Sequence, residues 1–328
     1  MNKVRWGILG AGRIAHSFAE GLRSVHDAEL VAIGSRAQDT ADSFGDKHNV
    51  PHRHASYEAL VRDPDVDIIY VATPHPMHKD NSLLCMQHGK GVLCEKPFTL
   101  NAAQAQEMID CARQNRVFLM EGMWTRFLPL MGKVRELIAQ NVIGDIRMVT
   151  ADFGFRTEFN PQSRLFALEL GGGALLDVGV YTLSFASMVM GGALPPQVVS
   201  LAELGRSGAD EQSAYILGYG DGRMAVLYSA VRTSSPHEGT IMGTTGRIRI
   251  HPEIFHPTRM TLSVNGKADE VIDVPFEGNG FNYEAAEAGR CLLAGKLESD
   301  ILPLAETLAI MQTMDRLRAP WGLKYPGE

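Results

Sequence analysis

Residues Val4 to Ala15 read Val-Arg-Trp-Gly-Ile-Leu-Gly-Ala-Gly-Arg-Ile-Ala, an apolar run that enters Gly10-Ala11-Gly12 and continues as a helical pattern. No other segment limits the fold as much. Gly10 permits a tight turn, Gly12 lets the backbone approach a pyrophosphate, and Ala15 holds the third small position, where helix and strand pack closely. The free N–H groups and the positive dipole end of the helix then face the anion. A G-x-G-x-x-A pattern between a strand and a helix marks a dinucleotide site, with Gly10, Gly12, Arg13 and Ile14 as cofactor-binding candidates. The competing reading is an ordinary glycine turn of an α/β protein.

The first third of the chain repeats this strand–helix alternation. Strands are predicted at Val4–Leu9, Glu29–Gly34, Asp67–Ala72, Gly91–Cys94 and Val117–Met120. Helices are predicted near 13–24, 57–61, 76–88 and from Asn101 to about Asn115. Ser35-x-x-Gln38 has the form of a capping box opening a further helix. The unbroken apolar run Ile68-Ile69-Tyr70-Val71-Ala72 suits a parallel strand buried on both faces. Such units imply right-handed crossovers and an open, doubly wound parallel sheet with ligands at the carboxyl ends of its strands. The pattern changes near Met123. A helix at Leu130–Gln140, a strand at Asp145–Asp152 and an apolar helix from Gly171–Gly173 to about Met190 come next. Strands and turns fill Val198–Val274, with Asn265-Gly266 as a hairpin signal. Helices at Asn282–Ala294 and Pro303–Arg318 complete a mostly antiparallel α+β half. The expected division is a Rossmann domain at 1–122 and a substrate-binding domain at 123–328.

A chain of 328 residues is long enough for about two domains. A net charge of −7 and a pI near 5.9 argue against a nucleic-acid or anionic-membrane partner. No apolar run reads as long enough to span a bilayer, and the N-terminus enters the first strand without a leader pattern, so a soluble cytoplasmic protein is expected. Cys85, Cys94, Cys111 and Cys291 form no C-x-x-C pair and read as buried free thiols. His52 with His54, and His75 with His78, lack a third ligand of obvious spacing, so no metal is expected.

The tip of strand two sets the cofactor. An NAD enzyme usually places a carboxylate there for the ribose 2′-hydroxyl. This chain has Gly34-Ser35-Arg36 instead, and Arg36 offers a planar cation suited to a 2′-phosphate. NADP(H) is therefore favoured, with NAD(H) as the alternative; in the competing reading Ser35 only caps a helix and Arg36 is a solvated surface charge. Three further groups carry chemistry. Cys94-Glu95-Lys96-Pro97 lies at a strand's carboxyl end, where Lys96 can hold a positive charge beside a ligand, although a plain strand-end turn explains it equally well. Thr73-Pro74-His75-Pro76-Met77-His78 is a proline-stiffened loop beside the expected cofactor ribose, and His78 reads equally as a local helix-start hydrogen bonder. In Gly171-Gly172-Gly173-Ala174-Leu175-Leu176-Asp177-Val178-Gly179-Val180-Tyr181, Asp177 and Tyr181 share one helix face. The rest of that helix is apolar, and a buried carboxylate must be paired or hydrogen-bonded. A core tyrosine tied to a core aspartate is the competing reading there.

Taken together, Gly10-Ala11-Gly12, Glu95-Lys96-Pro97 and Gly171-Gly172-Gly173 with Asp177 and Tyr181 resemble the Gfo/Idh/MocA oxidoreductase family over essentially the whole chain. Tyr181, where many members carry histidine, is similar to the dihydrodiol dehydrogenase and D-xylose 1-dehydrogenase branch. Val92–Pro97, Phe118–Glu121 with Trp124–Phe127, and Gly172–Asp177 strengthen that likeness. The resemblance implies Lys96 and Tyr181 as the catalytic pair, with Asp177 holding a substrate hydroxyl or orienting the site. It implies Trp124 and Phe153 as substrate-pocket walls; Thr73, His75, His78, Glu95 and Lys96 are placed on the cofactor side by their position at strand ends. It also implies a second domain built on a large open sheet, used for a homodimer or higher homo-oligomer.

Oxidation of a carbinol requires a hydride acceptor, which the nicotinamide supplies, and a base for the hydroxyl proton. A free tyrosine, with a pKa of about 10, is too weakly acidic for this near neutrality. A nearby Lys96 would favour the phenolate. The expected activity is therefore NADP(H)-dependent hydride transfer to or from a small polyhydroxylated substrate: a sugar, cyclitol, anhydro-sugar or dihydrodiol. The roles of Lys96 and Tyr181 can be exchanged in this scheme. Three alternatives stand beside it: glycoside hydrolysis by transient redox with a retained cofactor, a non-catalytic ligand-sensing module, and a reductase acting mainly on a carbonyl.

Overall fold

The apolar run Val4–Leu9 forms the first strand, β1, and Gly10 turns the chain at φ +98°. A Cβ at Gly10 would lie 3.2 Å from the Thr73 side chain and 3.3 Å from the Ala72 carbonyl oxygen, so this close approach requires glycine. The computed structural model describes residues 3–328; Met1 and Asn2, included in the expected first domain, lie outside the described residues.

After β1 come α1 (Arg13–Leu22), β2 (Ala28–Gly34), α2 (Gln38–His48), β3 (His52–His54), α3 (Tyr57–Val61) and β4 (Ile68–Val71). A 3-10 turn at His75–Met77 leads into α4 (His78–Gln87), β5 (Gly91–Glu95), α5 (Ala102–Asn115) and β6 (Leu119–Gly122). Then follow α6 (Pro129–Ala139), β7 (Ile146–Gly154), a π-helical turn at Leu175–Gly179 and α7 (Val180–Met190). The remaining strands are β8 (Gln197–Leu204), β9 (Asp210–Gly218), β10 (Met224–Ala230), β11 (Gly239–Gly243), β12 (Gly246–Ile250), β13 (Arg259–Val264) and β14 (Glu270–Asp273). Two helices, α8 (Phe281–Leu293) and α9 (Leu304–Arg318), complete the order.

The chain forms two units. The first comprises Met1–Thr99, Ala103–Trp124 and Glu277–Thr307; the second comprises Leu100–Ala102, Thr125–Phe276 and Leu308–Glu328. A single cut at 122/123 therefore gives way to a returning segment. Helix α8 packs on α1, Asn279 Nδ2 donates to the Ser17 carbonyl at 2.7 Å, and Leu119 N donates to the Leu297 carbonyl at 3.0 Å. The α8 residues Phe281, Ala285, Ala288 and Cys291 are buried. That burial, rather than chain order, assigns the segment to the first unit.

In the first unit, six parallel strands lie in the order β3-β2-β1-β4-β5-β6. This is the doubly wound dinucleotide-binding order, whose direction reverses between β1 and β4. Gly10 follows β1 and the Thr73 loop follows β4, so both border the switch point. Every residue of β4 and β5 is buried, as the unbroken apolar runs require. Trp6, Phe18 and Tyr70 fill the space beneath α1, with the Phe18 and Tyr70 rings stacked. The three-residue β3 escapes periodicity because it has too few positions to show a period.

The second unit carries eight strands in the order β14-β13-β12-β11-β7-β10-β9-β8. All neighbours are antiparallel except β7 and β10, which run parallel. Helix α7 covers one face against β7 and β10. On β8, exposed and half-buried residues alternate along the strand. Leu201 remains 78% exposed and Val199 67%, with Ile216, Met224 and Tyr228 also open to solvent. The stretch Leu168–Met190 is long and apolar enough by composition to cross a membrane, which corrects the sequence expectation. However, 94% of its most apolar window is buried inside the protein, as in a core helix. Cys85, Cys94, Cys111 and Cys291 are buried free thiols, as expected.

Candidate active site

In the first unit, the residues predicted to meet a cofactor gather around the switch point. Gly12 precedes α1, which has no side-chain cap and no acidic residue in its first turn among the described residues. A Cβ on Gly12 would meet only the Ala72 carbonyl oxygen, at 3.9 Å. These first-turn N–H groups, which include the Arg13 and Ile14 positions, fit a pyrophosphate.

At the tip of β2, Ser35 is buried and its N–H donates to the His54 carbonyl at 3.0 Å. Helix α2 starts at Gln38 with Ala37 as its cap residue and no side-chain cap. The predicted capping box is therefore corrected: pairing with β3 keeps the chain extended at Ser35, too early to cap. Arg36, the next residue, is exposed.

Two loops behind this tip are locked from inside. His78 is fully buried, with Nδ1 2.9 Å from the Pro97 carbonyl and Nε2 2.8 Å from the Thr73 carbonyl. Burial lowers its pKa. Its ring thus ties the loop after β4 to the turn after β5, which positions the loop predicted to lie beside the cofactor. Asn81 Nδ2 donates to Thr73 Oγ1 at 3.1 Å and fixes that hydroxyl. His75 is buried, its ring centroid 5.7 Å from that of His78.

Glu95 is also buried. It accepts from the Tyr70 hydroxyl and, at 3.1 Å, from the Lys96 backbone N–H. This carboxylate anchors the backbone of Lys96. Lys96 is half-buried, and its bond to Pro97 is cis. Trp124 stacks on Phe281, with ring centroids 4.7 Å apart and planes within 6°.

The second unit holds the remaining candidates. The glycine run is dictated by crowding. A Cβ on Gly173, at φ +130°, would lie 2.1 Å from Asp210 Oδ1, and one on Gly172 would lie 2.9 Å from the Ala167 carbonyl oxygen. Asp210 Oδ2 accepts from Leu175 N at 2.8 Å and from Ser213 Oγ at 3.1 Å. Burial raises the Asp210 pKa to about 7. The Tyr325 hydroxyl donates to the Gly172 carbonyl at 3.1 Å.

This pinned loop leads into the π-helical turn that carries Asp177. A uniform 3.6-residue helix through Asp177 and Tyr181, as predicted, is corrected by that turn; π turns are frequent at functional sites. Asp177 is 3% exposed and pairs with Arg164, Oδ1 to Nη1 at 2.5 Å. Tyr181, at the start of α7, lies edge-on to Phe153 at 5.3 Å and to Phe255 at 6.4 Å. Phe153 and Phe255 stack at 4.6 Å with planes within 4°.

His237 closes the cluster on the far side of Phe153, 4.9 Å between ring centroids. Its φ is +61°. Asp152 accepts from His237 N at 2.7 Å, and the ring contacts Glu253 and the Gly154 carbonyl. Burial opposes a charge on this ring, but Glu253 and the carbonyl outweigh it and raise the pKa.

Asp177, Tyr181 and Phe153 thus fall in one neighbourhood of the second unit. The sequence reading missed Arg164, Phe255 and His237, which come to it from three separate loops. Only an aromatic or charged residue in a loop marks each of them, and many loops carry such residues.

Known proteins sharpen this picture. Residues 4–123 match the model of an oxidoreductase family with an NAD-binding Rossmann fold, and residues 131–249 match the C-terminal domain model of the same family. The chain is 41% identical to trans-1,2-dihydrobenzene-1,2-diol dehydrogenase of Xenopus tropicalis, covering 98% of this chain and 99% of the relative. It is 33% identical to the human enzyme of that name, over 98% of each. Among solved structures, a 3-ketoreductase from Actinomadura kijaniata in complex with NADP and TDP-benzene matches with TM-score 0.85 and 26% identity over 97% of each chain. The fold is also that of an aldose-aldose oxidoreductase from Caulobacter crescentus, with TM-score 0.89 and 24% identity over 98% of this chain and 99% of that one. With both halves matched and a relative of this identity spanning nearly every residue, the chain belongs to the Gfo/Idh/MocA family of oxidoreductases.

Proposed function

We propose that this protein is an NADP(H)-dependent dehydrogenase that moves a hydride between nicotinamide and a carbinol of a dihydrodiol, sugar or cyclitol. The observation that carries the reading is the second-unit cluster: a phenol edge-on to stacked aromatic rings, in the helical segment of a buried carboxylate held by an arginine. The bound coenzyme supplies the hydride acceptor or donor. The chain's own groups do the rest. The N-terminus of α1 holds the pyrophosphate, and Arg36 takes the 2′-phosphate. Tyr181 exchanges the hydroxyl proton, and the Lys96 ammonium favours its phenolate form. Asp177, oriented by Arg164, accepts a hydrogen bond from a substrate hydroxyl.

Within the second unit, the ring of the half-buried Phe255 stacked on Phe153 would give a flat apolar wall, which suits a ring with one apolar face. A trans-dihydrodiol, the substrate in the names of the relatives, presents such a face together with vicinal hydroxyls. The test is a panel of trans-dihydrodiols, aldoses and cyclitols assayed with NADP and NAD in parallel by reduced-nicotinamide absorbance. NADP-linked turnover of a dihydrodiol or sugar is expected; no reduction of either coenzyme by any member overturns the reading.

The homo-oligomer and the compartment belong to the same proposal. Val199, Leu201, Ile216 and Tyr228 form a flat apolar face on β8–β10 that suits a second copy of the chain. Sedimentation at micromolar concentration is expected to give a dimer that Leu201→Glu converts to a monomer. Four free thiols fit a reducing cytoplasm, and fractionation of the source cells tests that placement.

A further inference from the structure

We propose that His52, His54 and Asp63 form a site for a borderline divalent cation such as Zn2+, independent of the oxidoreductase chemistry. His52 and His54 are two apart on β3, so both rings leave the same face of the strand. The sequence shows no third ligand near them, but the fold brings one from the segment after α3. Asp63 Oδ2 lies 2.7 Å from His52 Nδ1 and 2.9 Å from His54 Nε2. The three ligand atoms lie within 4.8 Å of one another.

The site is built from fixed parts. His52 and His54 sit in register with Ala32 and Gly34 of β2, which holds the strand in place. The Asp63 side chain is 4% exposed. Its other oxygen accepts from Asp65 N at 2.9 Å, and its backbone carbonyl accepts from Lys90 Nζ at 2.6 Å. A carboxylate oriented by outer hydrogen bonds is what a metal ligand needs.

The two nitrogen–oxygen gaps lie near those of a three-ligand site. Tetrahedral Zn2+ with bonds of about 2.0–2.1 Å sets its ligand atoms about 3.3 Å apart. The observed nitrogen–oxygen gaps open to that value by roughly half an ångström each, within reach of side-chain rotation about staggered wells. Each imidazole would bind the cation through the nitrogen that faces Asp63, with its proton on the other ring nitrogen. The His52 and His54 side chains remain 37% and 23% exposed, so water can complete the coordination.

Two nitrogens and one oxygen favour Zn2+ or Co2+ over Mg2+ or Ca2+. The consequence is mechanical. The cation would tie the three-residue edge strand β3 to the segment after α3, and so steady the His54 carbonyl that receives Ser35 N–H.

The probe is Co2+ titrated into tag-free, chelator-stripped full-length protein, read by its visible d–d absorption and then displaced with Zn2+. We expect one saturable site per chain with a four-coordinate spectrum. His54→Gln and Asp63→Asn are each expected to weaken binding by about tenfold or more. His26→Gln, at an exposed histidine, leaves it unchanged. His52→Gln carries the test if either of the first two variants loses native circular dichroism. Absence of a saturable site, or binding unchanged in these variants, overturns the proposal. Because the readout is metal binding, its failure is separate from failure of the dehydrogenase reading.

Discussion

The two units prepare for chemistry in opposite ways. In the first, the groups gathered at the switch point are mainly backbone: the Gly10–Gly12 turn, the start of α1, and two loops held by His78 and Glu95. Side chains such as His78 and Glu95 position those loops, and the central strands β4 and β5 are buried throughout. In the second, the groups with chemistry are side chains brought from separate loops onto one helix start: Asp177 with Arg164, and Tyr181 among Phe153, Phe255 and His237. Outside the glycines of the turn, backbone-built sites tolerate many substitutions because every residue but proline supplies an N–H. Side-chain sites fail at single positions. Mutations in the first unit should therefore act mainly on coenzyme affinity, and mutations in the second mainly on turnover.

The largest expected break is at Tyr181. Tyr181→Phe should lower kcat by about 10²- to 10⁴-fold, the usual scale of general acid–base catalysis, while coenzyme binding followed by fluorescence stays unchanged. Lys96→Met should move the pH at which oxidation begins upward, because a phenol without a nearby cation ionises at higher pH. Full turnover in Tyr181→Phe would place the proton transfer elsewhere.

The next effect is structural. Gly173→Ala forces a side chain onto φ +130° and against Asp210, so chemical denaturation should show a loss of at least about 1–3 kcal/mol. Gly191→Ala is the matched control. It also has positive φ, but its Cβ meets nothing within 4 Å, so a smaller loss of about 1 kcal/mol is expected.

Arg36→Ala sharpens the contrast from the other side. Removing a charge-assisted contact to the 2′-phosphate should raise the KM for NADP about tenfold or more, with kcat nearly constant and NAD kinetics unchanged. Equal effects on both coenzymes would remove Arg36 from the phosphate site.

The smallest effect concerns pH. The folded-state pKa of His237 is raised above its unfolded value of about 6.5. Its stabilisation is therefore fully present below about pH 6.5 and is lost as pH rises through the folded value. A Tm series from pH 6 to 8 should decline, and His237→Gln should flatten part of that decline.

Legibility followed the range of the interactions. Strand β1, the glycine turn and α1 were readable because one local pattern sets all three. Helix α3 and the Asn265-Gly266 hairpin were readable for the same reason. The capping box at Ser35 failed because pairing between β2 and β3, a tertiary event, keeps that residue extended. The return of α8 to the first unit was invisible: its apolar face fits any partner, and only packing on α1 chooses one. The π turn at Leu175–Gly179 has no period of its own in so short a run. Of the candidate site residues, Asp177 and Tyr181 were readable from polar groups inside an apolar helix. Arg164, Phe255 and His237 were not, because loop residues carry no periodic signal.

What the sequence determined alone was the dinucleotide-binding start and the alternation that makes a parallel sheet. These are properties of neighbours along the chain, fixed by backbone sterics and by the period of apolar residues. Only the tertiary structure decided which glycines are obligatory, that His78 and Glu95 brace the loops after β4 and β5, and that Asp63 joins His52 and His54. Each of those depends on atoms far apart in sequence meeting within a few ångströms, a distance that burial and packing set and that no local pattern encodes.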